Sequence, residues 1–155
     1  MKMTYWILGI TALLLLAPAC TSALSTMQHP RSGVVNDRLQ PCPSSPNCVC
    51  SEFPDHASYI TPVDYNIPPE DAWIHAVSTM QEMGGTLITQ GNGYLHATFT
   101  SSIFRFVDDF ELRMDNENRV IHLRSASRTG YFDFGVNRTR AERFRNSFTK
   151  KAALP

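Results

Sequence analysis

Arginine is the residue type that could do most here. The chain has 11 Arg against 3 Lys, and seven of the Arg fall between Arg119 and Arg145. A guanidinium is a planar fork that grips carboxylate or phosphate through two hydrogen bonds, so a preference for Arg over Lys suits fixed-geometry anion recognition. Arg105, Arg124 and Arg128, with Asp109 beside them, form a candidate ligand site. Ser125, Ser127 and Asn137 could add neutral donors. Lipid head groups, phosphorylated metabolites and acidic glycans are the ligand classes that fit. The competing reading is a structural ion network built from Asp108, Asp133, Arg138 and Arg140. Arg138 and Arg140 would stand in the first turn of the last helix, where the dipole disfavours cations, so carboxylates such as Asp108 and Asp133 must compensate.

Catalysis has weaker signals. Asp108-Asp109 is a carboxylate pair, but neighbours on a strand point to opposite faces and cannot share one substrate. His96 and His122 are candidate bases on strands, which leaves a hydrolase-type enzyme using a His/Asp pair as the alternative reading. There is no Gly-x-Ser-x-Gly, His-Glu-x-x-His or phosphate loop. No catalytic residue, metal or cofactor is assigned. Cys42, Cys48 and Cys50 lie in the loop Pro41-Cys42-Pro43-Ser44-Ser45-Pro46-Asn47-Cys48-Val49-Cys50. In an oxidising compartment a Cys42–Cys48 disulfide is the simpler reading. A soft-metal or redox site using all three is the rival, although no His-x-x-His or second cysteine pair completes a set.

These residues need elements to position them. Pro68 and Pro69, followed by Glu70 and Asp71, start a helix, and Ala72, Trp73, Ala76, Val77 and Met80 form its apolar stripe. Met83 extends the stripe, Gly84-Gly85 ends the helix, and His75 lies on its outer side. Thr86–Gln90 and Tyr94–Thr100 read as a hairpin through Gly91-Asn92-Gly93. Tyr59–Val63 reads as a first strand. Ile103–Met114 and Arg119–Arg128 read as a longer hairpin whose opposite residues sum to 233. That register places Phe106, Asp108, Phe110 and Leu112 on the core face against Ser127, Ser125, Leu123 and Ile121. The other face receives Asp109–Arg124, Glu111–His122, Arg113–Val120, Val107–Ala126 and Arg105–Arg128. Asp108 is then buried, and breaking its pair costs about 3–5 kcal/mol, whereas Asp109 is the more exposed, at about 0–1 kcal/mol. Asn137 caps a final helix running to about Lys150, with Ala141, Phe144 and Phe148 facing inward. The sum is an α+β domain: an antiparallel sheet of four to five strands with two helices packed on one face.

The N-terminus reads as an address. Residues 1–19 form a signal peptide: Lys2 supplies the positive end, Trp6–Ala17 the apolar core, and Ala17-Pro18-Ala19 the small-residue end. Twelve apolar residues are too few for a bilayer-spanning helix, which needs about 20. Cys20 follows where a bacterial lipoprotein carries its acylated cysteine, although Pro18 is unusual there. Cleavage after Ala19 without lipidation is the plainer alternative. Residues 20–40 read as a tether and 41–150 as one domain, placed in the cell envelope and held to the membrane through Cys20. The 155 residues balance 14 basic against 14 acidic groups, which argues against a general nucleic-acid binder. Residues 20–100 hold 2 basic and 7 acidic groups, and residues 101–155 hold 11 and 7. The two halves should therefore attract within one fold.

Four pieces carry a resemblance. They are Cys42-Pro43-Ser44-Ser45-Pro46-Asn47-Cys48-Val49, Phe106-Val107-Asp108-Asp109, Arg124-Ser125-Ala126-Ser127-Arg128-x-Gly130, and Asp133-Phe134-Gly135-Val136-Asn137-Arg138-x-Arg140. In this order the chain resembles, from about Leu39 to Arg145, the bacterial and plastid family catalogued as domain of unknown function 1499. Cys50 departs from the Ser common there. The resemblance implies no reaction and no catalytic residue, so the expectation is a non-catalytic envelope domain binding an anionic ligand or a partner.

Overall fold

Backbone alternation and turn chemistry build the sheet. A computed structural model describes residues 32–153. The expected signal peptide, Cys20 and most of the tether lie outside those residues. The strands are β1 (Val34–Val35), β2 (Arg38–Leu39), β3 (Cys48–Cys50), β4 (Val63–Asp64), β5 (Thr86–Gly91), β6 (Tyr94–Thr100), β7 (Val107–Asp115) and β8 (Val120–Ser127). Two helices complete the set, α1 (Pro69–Glu82) and α2 (Val136–Ala152). The main sheet is antiparallel in the order β3-β8-β7-β6-β5, with β4 also pairing β8, while β1 and β2 form a separate ribbon. Six strands replace the expected four to five. The extra ones are two or three residues long, too short to show alternation. The expected strand at Tyr59–Val63 shrinks to Val63–Asp64, because Pro62 has no N–H to give a ladder. Among the described residues, no helix is long and apolar enough to cross a membrane.

The long hairpin differs from its expected register by two residues. Its opposite pairs, such as Asp115↔Val120, Leu112↔Leu123 and Glu111↔Arg124, sum to 235. Asp115 accepts hydrogen bonds from the backbone and side-chain N–H of Asn118 at 3.0 Å, and Arg119 takes a left-handed φ of 54°. The turn therefore centres one residue later than expected. A shift of two keeps every side chain on its face but changes its partner. Arg124 thus meets Glu111, not Asp109, and His122 stands opposite Arg113. The expected strand start at Ile103 is also corrected. Residues 101–106 fold into a turn in which Ser101 accepts from the Phe106 N–H at 2.9 Å and Arg105 has φ 57°. Arg105 is exposed there and does not face Arg128.

Both helices pack on the face that carries Leu95, Ala97, Phe110, Leu112, Ile121 and Leu123. Phe144 of α2 lies 5.7 Å from Phe110 and 6.1 Å from Phe148, ring centre to ring centre. Each such ring, fully buried, contributes about 1.5–3 kcal/mol. Gly85 closes the end of α1, where a Cβ would stand 3.0 Å from the Met80 carbonyl and 3.1 Å from Phe99. The start of α2 corrects another expectation. Asn137 sits inside the helix, and Asp133 does the capping by accepting from the backbone N–H of Gly135 and Asn137 at 2.9 Å each. Asn137 is fully buried: its amide donates to Asn47 O, Ser127 Oγ and Asp133, and accepts from Ser125 Oγ at 2.6 Å. One side chain thereby ties α2 to β8 and to the proline-rich loop.

The opposite face is not open. Leu39, expected in the tether, is 1% exposed and packs with Cys42, Cys48, Cys50 and Ala126. Gly33 N donates to Glu111 and Leu39 N to Glu52. Residues 33–43 therefore lie over the face expected to receive ligand.

Candidate functional site

Two regions hold the charged residues, and they differ in kind. The first is a buried polar layer beneath residues 33–43. Asp109 accepts from His96 Nε2 at 2.7 Å and from Arg128 Nη2 and Nε at 2.9 and 3.0 Å. The contacts are diagonal, since Asp109 lies opposite Thr98 and Ala126. Burial pushes the Asp109 carboxyl up, but the hydrogen bonds from His96 and Arg128 outweigh it and hold the group below its ordinary value. Glu111, completely buried, accepts from Arg124 Nη1 and from the Tyr94 hydroxyl at 2.8 Å each. Burial, then the Glu111 charge, pushes the Tyr94 phenol far above its ordinary range. Glu52 accepts from Arg113 Nε at 2.7 Å.

Beside these, Ser51 Oγ lies 3.1 Å from His122 Nδ1, with Asp115 3.9 Å from the other ring nitrogen. Burial holds His122 below its ordinary value, outweighing the pull of Glu52. The trio has the residue types of a nucleophile, base and orienting acid, yet Ser51 is buried and its oxygen already accepts from Leu123 N at 2.9 Å. It serves to join β8 to the chain after β3. His96 and Asp109 are each 4% exposed, and Asp109 is committed to Arg128. Of the expected ligand residues, Arg124, Arg128 and Asp109 are therefore neutralised within the fold, and Arg105 stands apart from them. Arg124 Nε alone among that layer's arginine donors is buried without a hydrogen-bond partner.

The second region is the end of the sheet where the turn 101–106 meets the loop 129–135 and α2 begins. Arg140 donates to Asp108 at 2.9 Å and to Asn137 at 3.0 Å, and its guanidinium lies 4.7 Å from the centre of the Phe99 ring. Arg140 is thus the expected partner of Asp108. Arg138 is not, because it turns to the Tyr59 carbonyl at 3.4 Å. A cleft of about 350 Å³ opens here, lined by Phe99, Ser101, Phe134, Val136, Arg140 and Arg143 among others. Phe134 and Val136, both exposed, give it an apolar side, and Ile103 and Phe104 are exposed on the turn that follows Ser101. Arg143 is exposed and, like Arg105, has no ion pair among the described residues.

The cysteines fall in neither region. Cys42 and Cys48 form a disulfide, and Cys50 is a buried thiol that burial pushes up to about 11. Among the described residues no cluster of His, Cys, Asp or Glu has the arrangement to hold a metal. Glu52 and Arg143 are not singled out by the sequence, Tyr94 enters only as the start of a strand, and Glu111 and Arg113 enter only as expected partners of His122 and Val120. Only the corrected register identifies Glu111, and only the fold of residues 51–53 under β8 brings in Glu52.

The sequence profile of the family described as protein of unknown function (DUF1499) matches residues 38–148. The chain belongs to this family. The matched span takes in β2 to the last buried aromatic of α2, so the buried layer, the turn 101–106 and the Arg143 cleft are all parts of the DUF1499 domain. A search of curated proteins gives no match.

Proposed function

We propose that this is a non-catalytic domain of the cell envelope, held to the membrane by an acylated Cys20, that binds an anionic ligand at the Arg143 cleft. One observation carries the reading. Arg113, Arg124, Arg128 and Arg140 each have a carboxylate within 2.9 Å, whereas Arg143, which lines an open cleft, has none among the described residues. The paired arginines are scaffold, and the ligand charge falls to Arg143, the unpaired one that lines the cleft. Phe99, Phe134 and Val136 would cover an apolar portion, and Ser101 would add a hydroxyl, so the ligand class is an anionic amphiphile. Calorimetric titration with dodecyl phosphate tests this. Saturable binding should weaken about ten- to a hundredfold in Arg143→Gln, the loss of one charge-assisted hydrogen bond, and stay unchanged in Arg119→Gln. Absence of binding, or binding indifferent to Arg143, overturns the proposal. For the anchor, metabolic labelling with palmitate should mark the protein and be lost in Cys20→Ala, and label absent from the unsubstituted chain or retained in the variant refutes acylation.

The 2.7 Å contact between His96 and Asp109 supports the alternative of a hydrolase-type envelope enzyme. Ester or amide turnover abolished by His96→Gln, in a variant that still folds, would replace the binding reading.

A further inference from the structure

The turn 101–106 and the loop 129–135 expose side chains that a soluble surface has no use for. Ile103 is 82% exposed, Phe134 88% and Tyr131 73%, with Phe104 and Phe132 over half exposed. Single exposed apolar residues are ordinary, but a contiguous group marks an interaction surface. They group within each loop, and the two loops meet at the cleft. Phe104 stacks on Phe106 at 5.7 Å, Phe132 meets Phe134 at 5.1 Å, and Ser101 and Phe134 line the same cleft. Arg128 N also bonds Val107 O at 3.1 Å, holding the bases of the two loops together.

Charge selects the occupant. The one carboxylate in these loops, Asp133, is engaged by the N–H groups of Gly135 and Asn137. Among the described residues Arg105, between Phe104 and Phe106 in the chain, and Arg143, lining the cleft with Phe134, have no ion pair. Aromatic and aliphatic side chains bordered by arginine match the boundary between acyl chains and anionic head groups. Shape agrees: Ile103 and Phe134, each more than 80% exposed, project from the loops. From Cys20 to Gly33 the chain has thirteen residues, at most about 45 Å when fully extended, so an acylated Cys20 keeps the domain within reach of the bilayer.

We infer that this end of the domain is a membrane-interface surface: Ile103, Phe104 and Phe134 enter the head-group region of an anionic bilayer, while Arg105 and Arg143 meet lipid phosphates. The inference rests on the reading of the Arg143 cleft as an anion site, and it names a bilayer lipid as the source of the anion. An acylated Cys20 would hold the domain at the bilayer, and this surface would set its orientation there.

The test uses the mature chain that begins at the acylated Cys20, reconstituted in vesicles, with Phe134→Trp as reporter and the unsubstituted mature chain, which has Trp73, subtracted. In vesicles containing phosphatidylglycerol, lipids brominated near the head group should quench Trp at 134. The quenching should disappear in pure phosphatidylcholine and in the Arg105→Gln/Arg143→Gln double variant. Phe104→Trp should behave alike, and Ile74→Trp, exposed on α1, should not be quenched. Quenching absent at both 134 and 104, or equal at 74, overturns the inference. Dodecyl phosphate titration of the same proteins separates the two claims. Binding retained without quenching leaves the cleft as a site for a free anion and refutes the bilayer contact, and loss of both refutes both.

Discussion

Replacing Asp109 by Asn tests the buried layer most directly. The carboxylate takes His96 Nε2 and Arg128 Nη2 on Oδ1 and Arg128 Nε on Oδ2. An amide cannot reproduce this, because its NH2 group points at an Arg128 N–H whichever way it is turned. Side-chain exposures of 5% for His96 and Asp109 and 12% for Arg128 leave little water to compensate. Removing one partner of a buried pair costs about 3–5 kcal/mol, and the residual exposure of Arg128 places this case near the lower end, at about 3 kcal/mol. Asp108→Asn differs. Asp108 and Arg140 are 12% and 15% exposed, one N–H···O contact joins them, and an Asn oxygen can still accept it while Arg140 keeps Asn137 and the Phe99 face. That change should cost about 1–2 kcal/mol, the loss of charge assistance to one hydrogen bond. Urea denaturation of the oxidised protein at pH 7.5 measures both. The expected order reverses the one drawn from alternation alone, in which Asp108 was the buried member. A cost below about 1 kcal/mol for Asp109→Asn, or a greater cost for Asp108→Asn, refutes the placing of Asp109 in a closed layer.

Acid should destabilise the fold in two windows. His122 is held below its ordinary value of 6.5, so the unfolded chain takes a proton that the folded chain resists, and stability falls as pH drops from about 6.5 towards the depressed folded value. Asp109 and Asp115 are also depressed, Asp115 by its bonds from Asn118, so their contribution holds above the ordinary aspartate value of 3.8 and is lost below it. Denaturant titrations of His122→Asn should lose the slope between pH 7 and 5.5 and keep the one below 4, and an unchanged upper slope refutes the assignment. Reduction of Cys42–Cys48 should lower stability by about 2–4 kcal/mol, and non-reducing peptide mapping that finds either cysteine free removes the basis for it. Cys50, with its thiol near 11 and its side chain buried, should resist iodoacetamide at pH 8 until denaturant is added, and labelling of the native protein would show the β3 edge to be open.

What the sequence determined was local. The apolar stripe from Ala72 to Met80 and the prolines before it specify α1. Gly91-Asn92-Gly93 specifies the β5–β6 hairpin. Alternation along β7 and β8 sets which side chains face the helices, and this survived a two-residue error in register because a shift by an even number preserves parity. Family membership was equally legible, in motifs such as Asp133-Phe134-Gly135-Val136-Asn137-Arg138. The tertiary structure decided the rest. Whether the second face of the sheet meets water or protein depends on residues 33–43, which lie more than sixty positions from β7 and have no alternation of their own. That arrival turns Asp109, Glu111 and Arg124 from a candidate ligand surface into buried, neutralised pairs. The exposed aromatics invert the usual inference in the same way. A Phe in a sequence argues for burial, and only the fold shows that Phe104, Phe132 and Phe134 lie on loops with no core within reach. Alternation and helical period come from sterics between neighbouring residues and can be read along the chain. Burial is settled by what arrives from far along it, and no local pattern encodes that.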